Sequence, residues 1–452
     1  MARRKQFAKS ASAAPSIIKL VVASIGIAAL FSCCQSPRKE GATNLRSLPP
    51  MPAPYTSAPP AVRIVDSAPS RNVEIASVRV EAHVGTPHIR VAALKDAPSV
   101  RIAGGPAGAR VLSENNAEIR RLPPSSALLV AATPAGLSLD GGAQTFSSLR
   151  IESLSPSADL QLNEQDMAPS IQLVRAGKNG VTAIAHIDLE SYLCGVLAGE
   201  VPFNKWHSEA LKAQAITSRS YAYHQIRQHA GEAYDVEATI MSQVFKPGFR
   251  TNPILSAAVG ATRALVLTER GETFSAYFHS TCGGQTESSL NVFPEHPKTG
   301  ALGGTSCGYC TPSPHYRWKY LLSKTVLEQK LRANQPSQNV GKIQNIEFID
   351  AAGRKIGDAY GGRVASVRIQ HSGGQVQMQG NNFRLMVSPR DLKSLLFERV
   401  IDKGEALDIS GGGFGHGVGL CQFGSQGMAL AGASYDQILG RYYPSAALTK
   451  MY

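Results

Sequence analysis

The 452-residue chain predicts an α+β fold, a β-rich N-terminal part followed by a mixed α/β core. Three observations carry that expectation. Apolar and polar residues alternate with period two in short runs between Val73 and about Ile184. From Asp188 the apolar spacing becomes helical. Between Ile343 and Met378 the alternation returns, so strands and helices interleave in the second half. With 43% hydrophobic and 17% charged residues the composition is that of a globular body, not a disordered chain.

The N-terminus reads as an export signal. Arg3, Arg4, Lys5, Lys9 and Lys19 precede the apolar run Leu20 to Phe31. About a dozen apolar residues fall short of the ~20 needed to cross a bilayer. The run ends in Leu30-Phe31-Ser32-Cys33, which resembles a lipoprotein signal with Cys33 as the lipidated residue. An uncleaved anchor with two incidental cysteines is the competing reading. Residues 34–72 are rich in Pro, Ser and Ala, cannot bury a core, and suit a semi-rigid tether. The expected plan is a signal at 1–33, a linker at 34–72, a β-rich supporting domain at 73–184 and a catalytic core at 185–452. The protein is then exported, in the periplasm or cell envelope, and held to a membrane by its lipid. Net charge is +13, of which residues 1–40 contribute +6 through seven Lys/Arg and one Glu. The remaining +7 suits an anionic polymer or surface without identifying one.

In the β-rich part, Val78–Val84, Ile89–Val91, Val100–Ile102 and Ala127–Ala131 read as strands. Asp188 can cap a helix with the stripe Leu189, Leu193, Val196 and Leu197. Gly195 and Gly199 weaken it, and Pro202 stops it. A second helix starts near the N-cap Ser208, carries Leu211, Ala215, Ser218 and Ala222 on one face, and ends by Gly231. Ala264 to His279 reads as a hairpin turning at Arg270-Gly271-Glu272. A polar loop to about His315, a short helix at Val326–Ala333 and the strands to Met378 follow. Asn381 to Leu396 reads as a helix broken at Pro389, and a last helix centres on Asp436 to Leu439. The glycine-rich stretch Gly411 to Gly427 lies between them.

Three clusters carry chemistry. Glu200 follows the first helix, whose C-terminal end disfavours a carboxylate and raises its pKa, as a general acid needs. A solvated loop glutamate is the plainer alternative. Lys212 and Arg219 lie seven residues apart on the next helix, about 10 Å along one face. Such a stripe either binds an anionic substrate group or is an ordinary basic face. Next, Cys307-Gly308-Tyr309-Cys310 forms a C-x-x-C pair. With His279 and Cys282 it makes a four-ligand set for structural Zn2+. A disulfide, or a catalytic His279 that binds no metal, competes with that reading. Seven cysteines leave five after the leader, an odd set that cannot all pair. The third cluster, Gly411 to Gly424 around His416, matches neither a P-loop nor a Rossmann turn. It reads as close packing, and no nucleophile elbow accompanies His416.

Together these stretches resemble the SpoIID/LytB family of lytic transglycosylases and amidase enhancers. The match is carried by Leu189 through Glu200-Val201-Pro202 to Ser218-Arg219-Ser220-Tyr221, and by Tyr277-Phe278-His279-Ser280-Thr281-Cys282-Gly283-Gly284-Gln285-Thr286-Glu287. Gly415-His416-Gly417 through Met428-Ala429 completes it, with Tyr442-Tyr443-Pro444. The resemblance implies a SpoIID-like fold and cleavage of MurNAc–GlcNAc bonds in peptide-stripped peptidoglycan. Glu200 falls on the family's catalytic glutamate. Lys212, Arg219 and His279 fall on residues linked to the family's active site, and His416 joins the expected substrate-binding set. The resemblance further implies zinc near His279, an N-acetylmuramoyl-L-alanine amidase as a partner, and no nucleic acid. Cys421 stands where Ser is more usual, and Ser445 where Gly is common.

Overall fold

The computed structural model describes residues 85–177 and 179–452. The expected signal, the lipidation site Cys33, the linker and the strand at Val78–Val84 lie outside the described residues. The described residues form one compact unit of helices and several sheets, the α+β class read from the sequence.

Alternation in the N-terminal part builds two sheets. The first runs in the order Val236–Glu237, His88–Ala97, Gly180–Asp188, Ser170–Ala176, Ser148–Ser153, Ala109–Ser113 and Glu118–Leu122. The second centres on Ser99–Ala103 paired with Ala127–Thr133. Period two sends Ile89, Val91, Ile151 and Leu173 of one sheet, and Val100, Ile102 and Leu128 of the other, into one shared core. The expected boundary at residues 184 and 185 falls inside the strand Gly180–Asp188, which runs directly into helix α1, Leu189–Glu200. Leu189, Leu193, Val196 and Leu197 bury their stripe in that same core. Asp188 caps α1 as expected, its side chain accepting the Ser191 N–H at 3.0 Å.

Helix α2, Ser208–Gln228, is the spine of the molecule. Leu211, Ala215 and Ala222 face the first core, while Ala210, Ala213 and Ile216 face a second. The N-cap is His207, not Ser208: its Nδ1 accepts the Glu209 N–H at 3.3 Å. Helices α3 (Pro253–Ala261) and α4 (Ser289–Val292) follow. The expected hairpin pairs Leu265–Glu269 with Glu272–Thr273, and Arg270 and Gly271 both take positive φ, 54° and 85°. Its far end leaves the hairpin: Phe278–His279 pairs in parallel with Leu420–Cys421.

Residues between Trp318 and Ile409 have a core of their own. Trp318–Ser323 and Ala406–Gly412 pair antiparallel and bring both ends of this module together. It holds α5 (Lys324–Asn334) and α6 (Gly380–Val387). The helix expected to reach Leu396 stops at Val387, and Leu396–Asp402 is a strand; Pro389 cannot continue a helix. The glycine-rich stretch yields helix α7, Gln422–Leu430, which the sequence reading did not expect, and α8 follows at Tyr435–Tyr442. Gly424 and Gly427 sit in α7 because a Cβ there would meet Tyr442 Oη and the Tyr309 carbonyl, at 2.0 and 2.2 Å.

Gly195 and Gly199 of α1, four residues apart, have the same use. They form a flat strip on which Gln243–Lys246 lies, its Lys246 N–H donating to Gly195 O at 3.1 Å. A Cβ on Gly199 would stand 2.4 Å from Val244 O. Helix propensity alone favours Gly199→Ala by about 1 kcal/mol, whereas overpacking against backbone costs about 1–3 kcal/mol. Gly199→Ala should therefore lower the thermal unfolding midpoint; a higher midpoint would contradict the close approach.

Candidate active site

Glu200 is the last residue of α1, closed by the C-cap Val201, whose N–H returns to Leu197 O. The strip of glycines brings Val244 to it, and the Val244 N–H donates to Glu200 Oε1 at 2.7 Å. The Gln422 side chain also acts on this carboxyl. The facing segment is pinned on both sides. Tyr192 Oη donates to Gln243 Oε1 at 3.1 Å, the Tyr192 and Phe245 rings stack at 5.2 Å, and Gln243 reaches Ser218 O on α2. The residue keeps some exposure while its carboxyl is packed round by protein. Burial raises the Glu200 pKa from 4.5 to about 7, against the opposing pull of the Val244 N–H and of the Gln422 amide. The sequence pointed to the helix end as the cause; the first cause here is desolvation.

The two expected cations do not join this carboxyl. Arg219 is 0% exposed and forms a buried ion pair with Glu190, its Nη2 2.8 Å from Oε2. Its remaining donors go to the Val259 and Leu265 carbonyls and Thr262. A cation sealed this way braces α1 against α2 and has no donor left for substrate. Glu190 also accepts from the Ala264 N–H and Tyr452 Oη, at 3.3 and 2.5 Å. Lys212 stays half-exposed and pairs with Glu209 at 2.7 Å. Neither charge contributes to the shift at Glu200.

The histidines are likewise internal. His416 Nδ1 accepts the Val418 N–H at 3.0 Å, its ring packs on Phe293 and Tyr277, and burial holds its pKa well below the usual value. It closes a loop and has no free nitrogen to offer a substrate from Nδ1. His279 is 4% exposed; its Nδ1 donates to Val418 O at 3.0 Å and burial drops its pKa to about 3. Its Nε2 has no partner among the described residues.

The thiols gather without His279. Cys282, Cys307, Cys310 and Cys421 are buried, and their sulfurs lie within 4.8 Å of one another. The expected set of His279, Cys282, Cys307 and Cys310 is thereby corrected: Cys421 is the fourth member. The cause is strand pairing, since His279 sits beside Cys421 in register and its ring is turned to Val418. No disulfide forms; all four are free, with Cys282 and Cys310 sulfurs 3.5 Å apart. The donors fit zinc. Bonds of ~2.3 Å in a tetrahedron need sulfur–sulfur edges of roughly 3.8 Å. Backbone N–H groups of Cys282 and Gly424 point at Cys421 Sγ, each at 3.3 Å, and that of Gly284 at Cys282 Sγ at 3.4 Å. Such donors favour thiolates. Sequence reasoning missed three functional groups here: Cys421, Val244 and Gln422. The odd cysteine count was the one signal that pointed to any of them.

With this geometry in view, two family models match the chain. Residues 177–268, which hold α1, α2 and Glu200, match the stage II sporulation protein (SpoIID) family. This stretch of the chain belongs to the SpoIID family, as its resemblance in sequence implied. Residues 306–419 match a domain of unknown function, DUF8618, and coincide with the module between Trp318 and Ile409 plus the Cys307–Cys310 loop. An uncharacterized protein of Brachyspira hyodysenteriae is 33% identical over 262 residues, 58% of this chain and 66% of its own length. The amidase enhancer of Bacillus subtilis is 27% identical over 303 residues, 57% of this chain and 40% of that protein. Stage II sporulation protein D of the same organism is 27% identical over 283 residues, 59% and 76% of the two chains. The match thus spans about two thirds or less of the first two relatives.

The raised pKa of Glu200 sets a stability signature. Between its ordinary 4.5 and about 7 the folded protein binds a proton that the unfolded chain has lost. The stabilising effect is complete below that window and falls away as pH rises through it. Glu200→Gln abolishes this loss. It should exceed the parent in urea-unfolding free energy by about 2–3 kcal/mol at pH 8, with no such gain at pH 4. A difference that does not change with pH would contradict a buried, protonated carboxyl.

Proposed function

We propose that this SpoIID-family chain is a peptidoglycan lytic transglycosylase. It cleaves MurNAc–GlcNAc linkages of peptide-stripped glycan strands and leaves 1,6-anhydro-MurNAc ends. The observation that carries this reading is Glu200: a carboxyl at a helix end, packed round by protein, with a pKa of about 7 and its Oε1 held by the Val244 N–H. Ordinary glycosidases flank the bond with two carboxylates. No second carboxylate is among the causes of the Glu200 shift. One acid suffices when the nucleophile is the substrate's own C6 hydroxyl.

The steps then balance on a single group. Protonated Glu200 gives its proton to the glycosidic oxygen as the C1–O bond breaks, and the leaving sugar takes the electron pair. The carboxylate, steadied by the Val244 N–H, takes the proton from the C6 hydroxyl as O6 bonds to C1. The anhydro ring closes with no net gain or loss of protons at Glu200. Intramolecular attack has a high effective molarity, which compensates for the missing second carboxylate. The substrate role expected for Arg219 is not retained in this mechanism, because its donors all go to protein groups; Lys212, His279 and His416 are given no step in it.

Cys282, Cys307, Cys310 and Cys421 are proposed to hold one structural Zn2+. Four protein ligands leave no position for water, so the ion would tie loops together and take no part in the chemistry. Purified protein should contain one zinc per chain and lose it in Cys421→Ala; metal-free parent protein would end that proposal. The predicted anchor at Cys33 and the tether at 34–72 would keep the body within reach of the envelope's peptidoglycan.

The similarity to an amidase enhancer favours one second reading, a wall-binding protein that stimulates an N-acetylmuramoyl-L-alanine amidase. Glu200→Gln separates the two. As a transglycosylase, the folded variant binds glycan and makes no anhydro product, a loss of at least about 100-fold. Near-parental product from that variant would overturn the enzyme reading, and retained amidase stimulation would support the second.

A further inference from the structure

Gln422 opens helix α7 and is 5% exposed. Its Nε2 meets no partner in normal hydrogen-bond geometry among the described residues. Leaving a buried donor unmet is costly, and such groups in native structures call for a specific use. The surrounding backbone is fixed. The Phe423 N–H donates to Ser280 O at 3.0 Å, Ser425 Oγ to Cys421 O at 3.0 Å, and the Gly424 N–H to Cys421 Sγ. This first turn of α7 is docked on the bend between α1 and α2. The Phe423 ring meets Trp206 edge-on at 5.7 Å, and Gln426 Oε1 accepts the His207 N–H at 2.9 Å. The same bend carries Glu200. Gln422 is the one side chain whose hydrogen-bonding group acts on the Glu200 carboxyl among the described residues, so the amide lies within reach of it, on an element anchored one residue away by the thiol cluster.

We propose that Gln422 is the positioning residue that holds the Glu200 carboxyl from the side opposite the Val244 N–H, through its own side-chain N–H. This rests on the reading of Glu200 as the acid. An uncharged donor suits the role. It steadies the carboxylate formed when the proton leaves, yet does not force ionisation at neutral pH as a lysine would. It also restricts the carboxyl to one orientation through both proton transfers. The titratable groups on the elements packed round Glu200 include Tyr192 and Cys194 on α1, Lys212 on α2, Lys246 on the facing segment and Cys421 before α7. None is among the causes of its shift, which are burial, the Val244 N–H and the Gln422 side chain.

The test reads Glu200 itself. Full-length protein labelled with carboxyl-13C glutamate is titrated by NMR, and Glu200→Gln identifies the resonance. In Gln422→Leu the Glu200 pKa should rise by about one unit, the value of one lost hydrogen bond to a charged group. The unfolding midpoint should change little. Where the enzyme assay applies, kcat should fall about tenfold with KM kept. Gln422→Met, of similar shape and without the N–H, should repeat the shift and serves if the leucine variant does not fold. An unmoved Glu200 titration in either folded variant overturns the proposal. Absence of anhydro product from the parent would instead overturn the enzyme reading, and the titration would still decide the Gln422 contact.

Discussion

The Glu190–Arg219 ion pair fixes where helix α1 can lie. It sits inside the protein, where a lone charge costs several kcal/mol, so the two residues must stay together. The guanidinium is saturated by Glu190, two backbone carbonyls and Thr262, which ties α1 to α2 and to the turn after α3. Glu200 is ten residues on, about 15 Å along the axis. With the near end fixed, the far end can emerge only at the bend where α7 and Gln243–Lys246 meet it. The reactive carboxyl is placed by its non-reactive neighbour in the same helix.

The other constraint is close approach. Gly195 and Gly199 let one backbone lie on α1, and Gly424 and Gly427 let Tyr442 and Tyr309 lie on α7. Each pair lowers helix propensity, and each is offset by the packing it admits. The same logic links the module between Trp318 and Ile409 to the centre. The chain enters it just after Cys310 and leaves it just before Gly413. Arg363, from inside it, donates to the Cys282 and Gln285 carbonyls and faces Glu287. The module thus holds the loop that supplies Cys282.

Much of this was legible in the sequence, and the failures have physical causes. Helices α1 and α2 followed from spacing and caps, and Glu200 followed from the break at Pro202. The role of Arg219 did not. A seven-residue spacing says that two cations share a face, but not whether that face meets water or a buried acid. Glu190 gave no warning, since a first-turn glutamate is ordinary on any helix. Helix α7 was hidden by its own glycines, which argue against a helix unless the neighbours are known. Cys421 was hidden for a related reason. Its partners lie more than a hundred residues away, and only the parallel pairing of Phe278–His279 with Leu420–Cys421 brings it there in place of His279.

The central claim is that one carboxyl performs both proton transfers and that water is not the nucleophile. Digestion of peptide-free glycan strands in 18O-labelled water tests it directly, with the new ends read by mass spectrometry. A single-acid transglycosylase gives anhydro ends carrying no 18O. Reducing MurNAc ends that carry the label would show hydrolysis, and would contradict the account.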